Sequence, residues 1–335
     1  MEFLNDYGLF LAKTLSFALV VLLSFSAILS LRARGKETGE EPITIKKLND
    51  YYRDLTQQLK QAVVPKKEFK QYVKAQKQAE KNVDPNRKRI YVLDFIGNIR
   101  AEAVNALRKE VTAVLQVATP QDEVVVRLES PGGMVSNYGL GASQLKRIRS
   151  RNIPLTVCVD KVAASGGYLM ACVANKILAA PFAIIGSVGV VTQFPNFYRY
   201  LQKHNIDFEQ VTAGKYKRTM TMFGNNSEEA REKLQHDLND IHRQFKEFIV
   251  EHRSQVDIDK IATGEYWLAK QAQDDYQLVD MIITSDDYLL EACHEADVYQ
   301  ITQSKKKSWP EKVKGGATAA WDQICHTLNR GHQAS

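Results

Sequence analysis

Cysteine is scarce in this chain. Four occur among 335 residues, Cys158, Cys172, Cys293 and Cys325, and no two form a C-x-x-C pair. That pattern excludes a zinc ribbon, a thioredoxin-type redox pair and a disulfide framework. Cys158 and Cys172 lie inside apolar runs and read as core thiols. Histidine occurs at positions 204, 236, 242, 252, 294, 326 and 332, always in polar surroundings and never in a turn after a strand-like run. A Ser-His-Asp triad therefore lacks its base. The chain has no nucleic-acid-binding motif, no internal repeat and no cluster with metal-ligand spacing. No cofactor, no metal and no nucleic-acid partner is expected.

Long charge-free runs are equally few. Thr14 to Leu31 is one, 18 residues long, and Gly8 to Thr14 extends it apart from Lys13. That length crosses a bilayer as a helix. Glu2 and Asp6 precede it, no small-x-small cleavage site follows, and Arg32, Arg34 and Lys36 come at once. A retained transmembrane anchor over residues 8–31 therefore fits better than a signal peptide. Charge is uneven beyond it. Residues 32–89 carry 16 Lys+Arg against 8 Asp+Glu, and 304–335 carry 6 against 2, whereas 90–303 carry 22 against 27. Basic flanks beside an apolar anchor suit a lipid bilayer. The positive-inside rule places the Arg32–Lys36 side in the cytoplasm. Residues 32–88 read as a charged helical stalk, with Ile45, Leu48, Tyr52, Leu55 and Leu59 on one stripe and a break at Pro65. Residues 89–303 read as the main domain and 304–335 as a basic mobile tail.

From Arg89 the texture alternates. Ile90–Phe95, Val124–Leu128 and Leu155–Val159 are short β-rich runs, and Glu102–Ala118 and Val135–Arg149 carry helical spacing. Such alternation predicts βαβ units around a parallel sheet, an α/β fold. Further strands are expected at Lys176–Ala180, Ile184–Thr192, Phe208–Thr212 and Leu278–Ile283. A long helix is expected from Ser227 to about Arg253, its first turn acidic as the helix dipole prefers, and another helical segment opens at Trp267.

Three glycine-containing turns follow apparent strands: Ser130–Gly133, Ser165–Gly167 and Gly186–Gly189. In a parallel α/β sheet the strand carboxyl ends share one edge, where ligands bind. The first turn offers backbone N–H groups, the second a serine and the third another hydroxyl, Ser187. Ser165 has two readings: an N-cap for the helical run after it, or a nucleophile beside orphan N–H groups. Without a histidine, a lysine held neutral by burial can serve as base. The loop Thr212–Arg218 offers Lys215 and Lys217, and residue chemistry alone does not choose between them.

Taken in order, Glu129-Ser130-Pro131-Gly132-Gly133, Val162-Ala163-Ala164-Ser165-Gly166-Gly167-Tyr168 and Ile185-Gly186-Ser187-Val188-Gly189-Val190 resemble the signal peptide peptidase A (protease IV) family of Ser-Lys serine endopeptidases. With the anchor, the resemblance covers about residues 1 to 290. It implies a ClpP/crotonase-like βαβ superhelix, whose glycine turns form an oxyanion hole. It also implies a single-pass peptidase of the bacterial inner membrane that cleaves peptide or protein substrates through an acyl-enzyme, and a homo-oligomeric ring. By motif, Ser165 matches the nucleophile and Lys217, 52 residues on (217 − 165), the general base. Ser187 matches the serine that orients the lysine. Gly133 and Gly166 match the oxyanion donors, with Gly132 close behind, and Lys215 does not fit. Arg218 departs from the family, many of whose members carry an acidic residue there. In half-length members the serine and the lysine come from neighbouring subunits. Members with outward-facing domains oppose the charge rule, so sidedness stays open. The small residues around Ser165 imply an extended substrate with small or apolar side chains. Two rivals share some of these features: a crotonase-type acyl-CoA enzyme, which needs neither Ser165 nor Lys217, and a non-catalytic membrane scaffold.

Overall fold

The structure, a computed structural model, describes residues 7–10, 13–21, 24, 42–81 and 86–303. Residues 7–10 and 13–21 are helical, and among the described residues no helix is long and apolar enough to cross a membrane. Residues 11, 12, 22, 23 and 25–31 of the expected anchor lie outside the described residues, as does the tail 304–335. The larger compact unit is Ile43–Gln303.

Its elements run β1 (Ile43–Lys47), α1 (Leu48–Val63), α2 (Lys66–Lys81), β2 (Arg89–Ile96), α3 (Val104–Val114), β3 (Glu123–Glu129), α4 (Val135–Arg149), β4 (Leu155–Val159), β5 (Val162–Ala164), α5 (Gly166–Ala171), β6 (Lys176–Ala179) and β7 (Ile184–Gly186). There follow α6 (Tyr198–Lys203), α7 (Glu228–His252), α8 (Ile258–Ile261), β8 (Tyr266–Leu268), α9 (Ala269–Asp274), β9 (Met281–Ile282), α10 (Ser285–Glu295) and β10 (Asp297–Gln303).

The main sheet has the order β1-β10-β2-β3-β4-β6-β9. Every pair from β10 to β9 is parallel, and β1 closes one edge antiparallel to β10. A second sheet, β5-β7-β8, is parallel between β5 and β7 and antiparallel between β7 and β8.

The central strands are apolar on both faces, as a sheet covered on two sides requires. Successive residues then feed different layers. Tyr91, Leu93 and Phe95 of β2 and Val124, Val126 and Leu128 of β3 join Leu107 and Val111 of α3 and Leu145 and Ile148 of α4 in one cluster. Ile90, Val92 and Val125 face the other way, into a cluster with Leu48 of α1 and Leu289 of α10. Helix α7 starts at a capped N-terminus, where the Ser227 side chain accepts from Ala230 N–H. Its far end is held by Arg253, 3% exposed, which donates to both oxygens of Asp280 at 2.8 and 2.9 Å and to the Gln277 carbonyl at 3.1 Å.

Several expectations change. Ile43–Lys47 of the expected helical stalk is a strand, and Ile45 within it is exposed rather than part of an apolar helical stripe. Pairing with β10, more than two hundred residues later in the chain, decides it. Phe208–Thr212 forms no strand. Instead the Phe208 ring packs at a tilt against Phe223, which stacks on Phe197. The expected strand Ile184–Thr192 stops at Gly186, and Tyr266–Leu268 is a short strand before the helix expected at Trp267.

Candidate active site

The three glycine turns meet. At the end of β3, Ser130 N donates to Val162 O (2.8 Å) and Ala164 N donates to Ser130 O (3.0 Å), tying the first turn to β5. One residue later Ser165 N donates to Gly186 O (2.8 Å), tying the second turn to the third. Gly132 has φ +91°, a region that favours glycine, and a Cβ on it would stand 2.7 Å from Ser165 Cβ. A Cβ on Gly133 would stand 2.1 Å from the Ile99 carbonyl oxygen. Close approach of backbone to backbone is what these glycines allow.

Ser165 lies at the N-cap position of α5, yet its side chain makes no capping hydrogen bond. Its backbone is at φ 50° and ψ −118°, a sparsely populated conformation for any residue with a side chain. The Oγ has no hydrogen-bond partner among the described residues and opens on a cavity of about 390 Å³. The N-cap reading of Ser165 therefore fails, and the hydroxyl is left available. The N–H groups of Gly133 and Gly166 donate to no acceptor among the described residues. Gly166 is in the first turn of α5, where N–H groups have no intrahelical partner. Ser187 follows Gly186 directly, with φ 51° and its N–H donating to Glu265 O at 2.6 Å.

A polar support beneath the turns was not legible in the sequence. Ser130 is fully buried, and its hydroxyl pairs with the Tyr138 hydroxyl, which also donates to Asn98 O at 2.8 Å. Ser130 Oγ in turn accepts from Gly132 N–H at 3.1 Å. Burial pushes the Tyr138 phenol above its ordinary value, against the hydrogen bond with Ser130, so it stays protonated and can donate. Gly97 and Gly166 give this ring its room: a Cβ on either would come within 2.5 Å of Tyr138. The far wall of the cavity was missed as well. It comes from α7, through Ile241, Phe245 and Phe248, whose spacing of four and three residues places them on one helix face.

The lysines fall elsewhere. Lys215 pairs with Glu229 at 2.7 Å, and that hydrogen bond, with Tyr216 beside it, pushes the ammonium above its ordinary value. Such a lysine stays charged and is a poor base. Lys217 is exposed in a turn closed by its own N–H on Gly214 O (3.1 Å), with Gly214 at φ +98°. Its ammonium makes no hydrogen bond or ion pair among the described residues, and Lys217 does not line the Ser165 cavity. Within one chain, Ser165, Gly133 and Gly166 line one cavity; Ser187 directly follows the Gly186 that holds the Ser165 N–H but does not line the cavity, and Lys217 lies elsewhere.

Comparison with known proteins decides the family. The chain matches "Peptidase family S49 N-terminal" over residues 2–145 and "Peptidase family S49" over 147–299. It belongs to peptidase family S49. The boundary between the two matches falls inside α4, so the Gly132-Gly133 turn comes from the first and Ser165 from the second. The chain is 44% identical to "Probable protease SohB" of Haemophilus influenzae, over 97% of this chain and 96% of that one. It is 43% identical to a "Probable protease SohB" of Buchnera aphidicola, over 87% and 99%. Among solved structures, a membrane-bound stomatin-specific protease aligns with 65% of this chain and 99% of its own, at 14% identity and a TM-score of 0.44. As a family S49 peptidase this protein takes a peptide or protein substrate.

Proposed function

We propose that this S49 peptidase is a serine endopeptidase with Ser165 as nucleophile, Lys217 as general base, Ser187 orienting the lysine, and Gly133 and Gly166 as oxyanion donors. The observation that carries the proposal is the free Ser165 hydroxyl, on a strained backbone, beside two N–H groups unpartnered among the described residues and lining the same cavity. Neutral Lys217 Nζ takes the Ser165 proton as Oγ attacks the peptide carbonyl. The Gly133 and Gly166 N–H groups receive the oxyanion. The lysine returns the proton to the leaving amine, and water, deprotonated by the same lysine, cleaves the ester.

The lysine comes from a neighbouring copy. Two features support this: Lys217 is exposed outside its own site, and the segment carrying it exposes Val191, Tyr200 and Val211, the last 97% exposed. Apolar residues in that number on one excursion suit a partner surface. We take the fold as a ClpP/crotonase-like superhelix assembled into a homo-oligomeric ring. Residues 8–31 anchor it in the bacterial inner membrane, 32–88 link that anchor to the peptidase domain at 89–303, and 304–335 form a basic tail.

Covalent labelling by a fluorophosphonate tests the nucleophile. The adduct is expected on Ser165 by peptide mass spectrometry, with labelling and peptide cleavage both lost in Ser165→Ala. A labelled, fully active Ser165→Ala protein would overturn the assignment.

A further inference from the structure

Helix α4 contains a glycine that neither packing nor backbone geometry explains. Glycine weakens a helix interior relative to alanine, so its presence there needs a reason. Gly141 has one: a Cβ on it would meet Met170 Sδ at 2.8 Å. Gly139 has none of that kind. A Cβ on Gly139 meets nothing within 4 Å, and its φ is not in the positive region. What Gly139 does border is the cavity beneath Ser165. Ala142 and Ser143, three and four residues on and so on the same helix face, border it too. Three of the five residues that α4 lends to the cavity are thus small, Val135 and Tyr138 being the others, and α7 contributes Phe245 and Phe248. The space of about 390 Å³ falls in the range of about 300–1,000 Å³ of pockets that enclose whole small ligands. It is far more than a small side chain needs.

We propose that Gly139 is a specificity-determining residue: its missing side chain keeps the pocket deep enough for a large apolar substrate side chain. Rather than small residues, the pocket selects leucine, methionine or phenylalanine on the acyl side of the scissile bond. The side is assigned because Ser165, Gly133 and Gly166 line the same cavity. The side chain nearest a carbonyl held by those two N–H groups belongs to the residue that owns the carbonyl. The inference rests on the serine-peptidase reading above. Among the described residues no charged one lines the cavity, and Gln244 and Tyr138 are among its polar members, so an ionised side chain entering there would be desolvated without a counter-charge.

The test uses full-length protein with peptides that differ only in the residue before the scissile bond: alanine, leucine or phenylalanine. Wild type is expected to prefer leucine and phenylalanine over alanine by at least tenfold in kcat/KM, the scale on which apolar pockets discriminate. In Gly139→Phe the phenylalanine-to-alanine ratio is expected to fall about 100-fold, and in Gly139→Ala by a smaller factor in the same direction. Gly139→Ala adds one carbon into open space, so it keeps the inference testable if the larger side chain disturbs folding. An unchanged ratio in folded Gly139→Ala and Gly139→Phe would overturn the proposal, as would a response only to the residue after the scissile bond. Fluorophosphonate labelling separates the two levels. Labelling that survives Ser165→Ala sinks the serine reading itself, whereas Ser165-dependent labelling with an unaltered preference sinks only the role of Gly139.

Discussion

Ser165 holds φ 50° and ψ −118° because its N–H is fixed on Gly186 O and its carbonyl accepts from Leu169 N–H (2.9 Å). A non-glycine residue in such a region costs on the order of 1–3 kcal/mol. The strain belongs to the backbone and Cβ, so removing the hydroxyl alone does not relieve it. Ser165→Gly is therefore expected to be more stable than Ser165→Ala by about 1 kcal/mol, read as a shift in urea midpoint at constant slope; both are expected to be inactive. Equal midpoints would mean that the turn carries no strain. At this scale the sequence was half legible. Glycines flanking a serine after a β-rich run located the turn, but an N-cap serine and a nucleophile have the same local sequence. What removes the cap is a dihedral pair and an unmade hydrogen bond, which depend on the bond from Ser165 N–H to Gly186 O of β7. Gly139 was not legible at all, since a glycine in a helix announces neither a clash nor an empty cavity.

At the scale of elements, the turns stand on a small polar framework. Tyr138 of α4 joins Asn98, after β2, to Ser130, after β3, and Ser130 steadies the Gly132 N–H. Tyr138→Phe leaves the Asn98 carbonyl without its donor and the buried Ser130 hydroxyl without its acceptor, a loss of about 1–3 kcal/mol. It should lower kcat/KM by about tenfold, equivalent to 1.36 kcal/mol at the transition state, if the framework positions the oxyanion donors. Full activity with the same stability loss would assign Tyr138 to folding alone. A second framework binds the opposite ends of the strands. Burial opposes ionisation of Glu123, but hydrogen bonds from Lys88 (2.6 Å), Tyr288 (2.6 Å) and Thr156 (2.7 Å) outweigh it and hold the carboxyl below its usual range. A carboxyl whose folded pKa is depressed adds stability above its unfolded value, near 4.3, and that stability is lost as pH falls through the folded value. Glu123→Gln is thus expected to melt below wild type at pH 7, with the gap closing below about pH 4. A gap that persists undiminished in acid would mean packing, not charge, is what the substitution removes.

The same scale shows why some elements were readable and others not. Strands β2, β3 and β4 carry their own signal, continuous apolar runs buried on two faces. β1 and β10 do not. Val298 and Ile301 are the buried residues of β10, too few for a run, and the two strands exist because they pair with each other and with β2. Phe208–Thr212 shows the converse. It has strand-like composition, yet lacks a partner strand among the described residues, and its aromatic residue joins Phe223 and Phe197 instead.

For the whole molecule, the strand ends bring Ser165 near the Gly133 and Gly166 N–H groups, while Lys217, the proposed base, sits on an exposed excursion. A lysine in water is a poor base, because general-base work near neutral pH needs burial or neighbouring cations to favour the neutral amine. Assembly supplies burial if the excursion, with its apolar residues, covers a neighbour's site. The family spacing picked Lys217 over Lys215, and Lys215 is engaged by Glu229. No sequence pattern could say from which copy Lys217 acts. Co-assembly of two inactive variants, Ser165→Ala and Lys217→Ala, measures this most directly. Each mixed interface can place an intact Lys217 from the first variant beside an intact Ser165 from the second. In a ring with random neighbours about a quarter of the sites are then complete, and peptide cleavage near a quarter of wild type is expected from equal amounts of the two. A co-assembled oligomer that stays inactive would contradict that expectation.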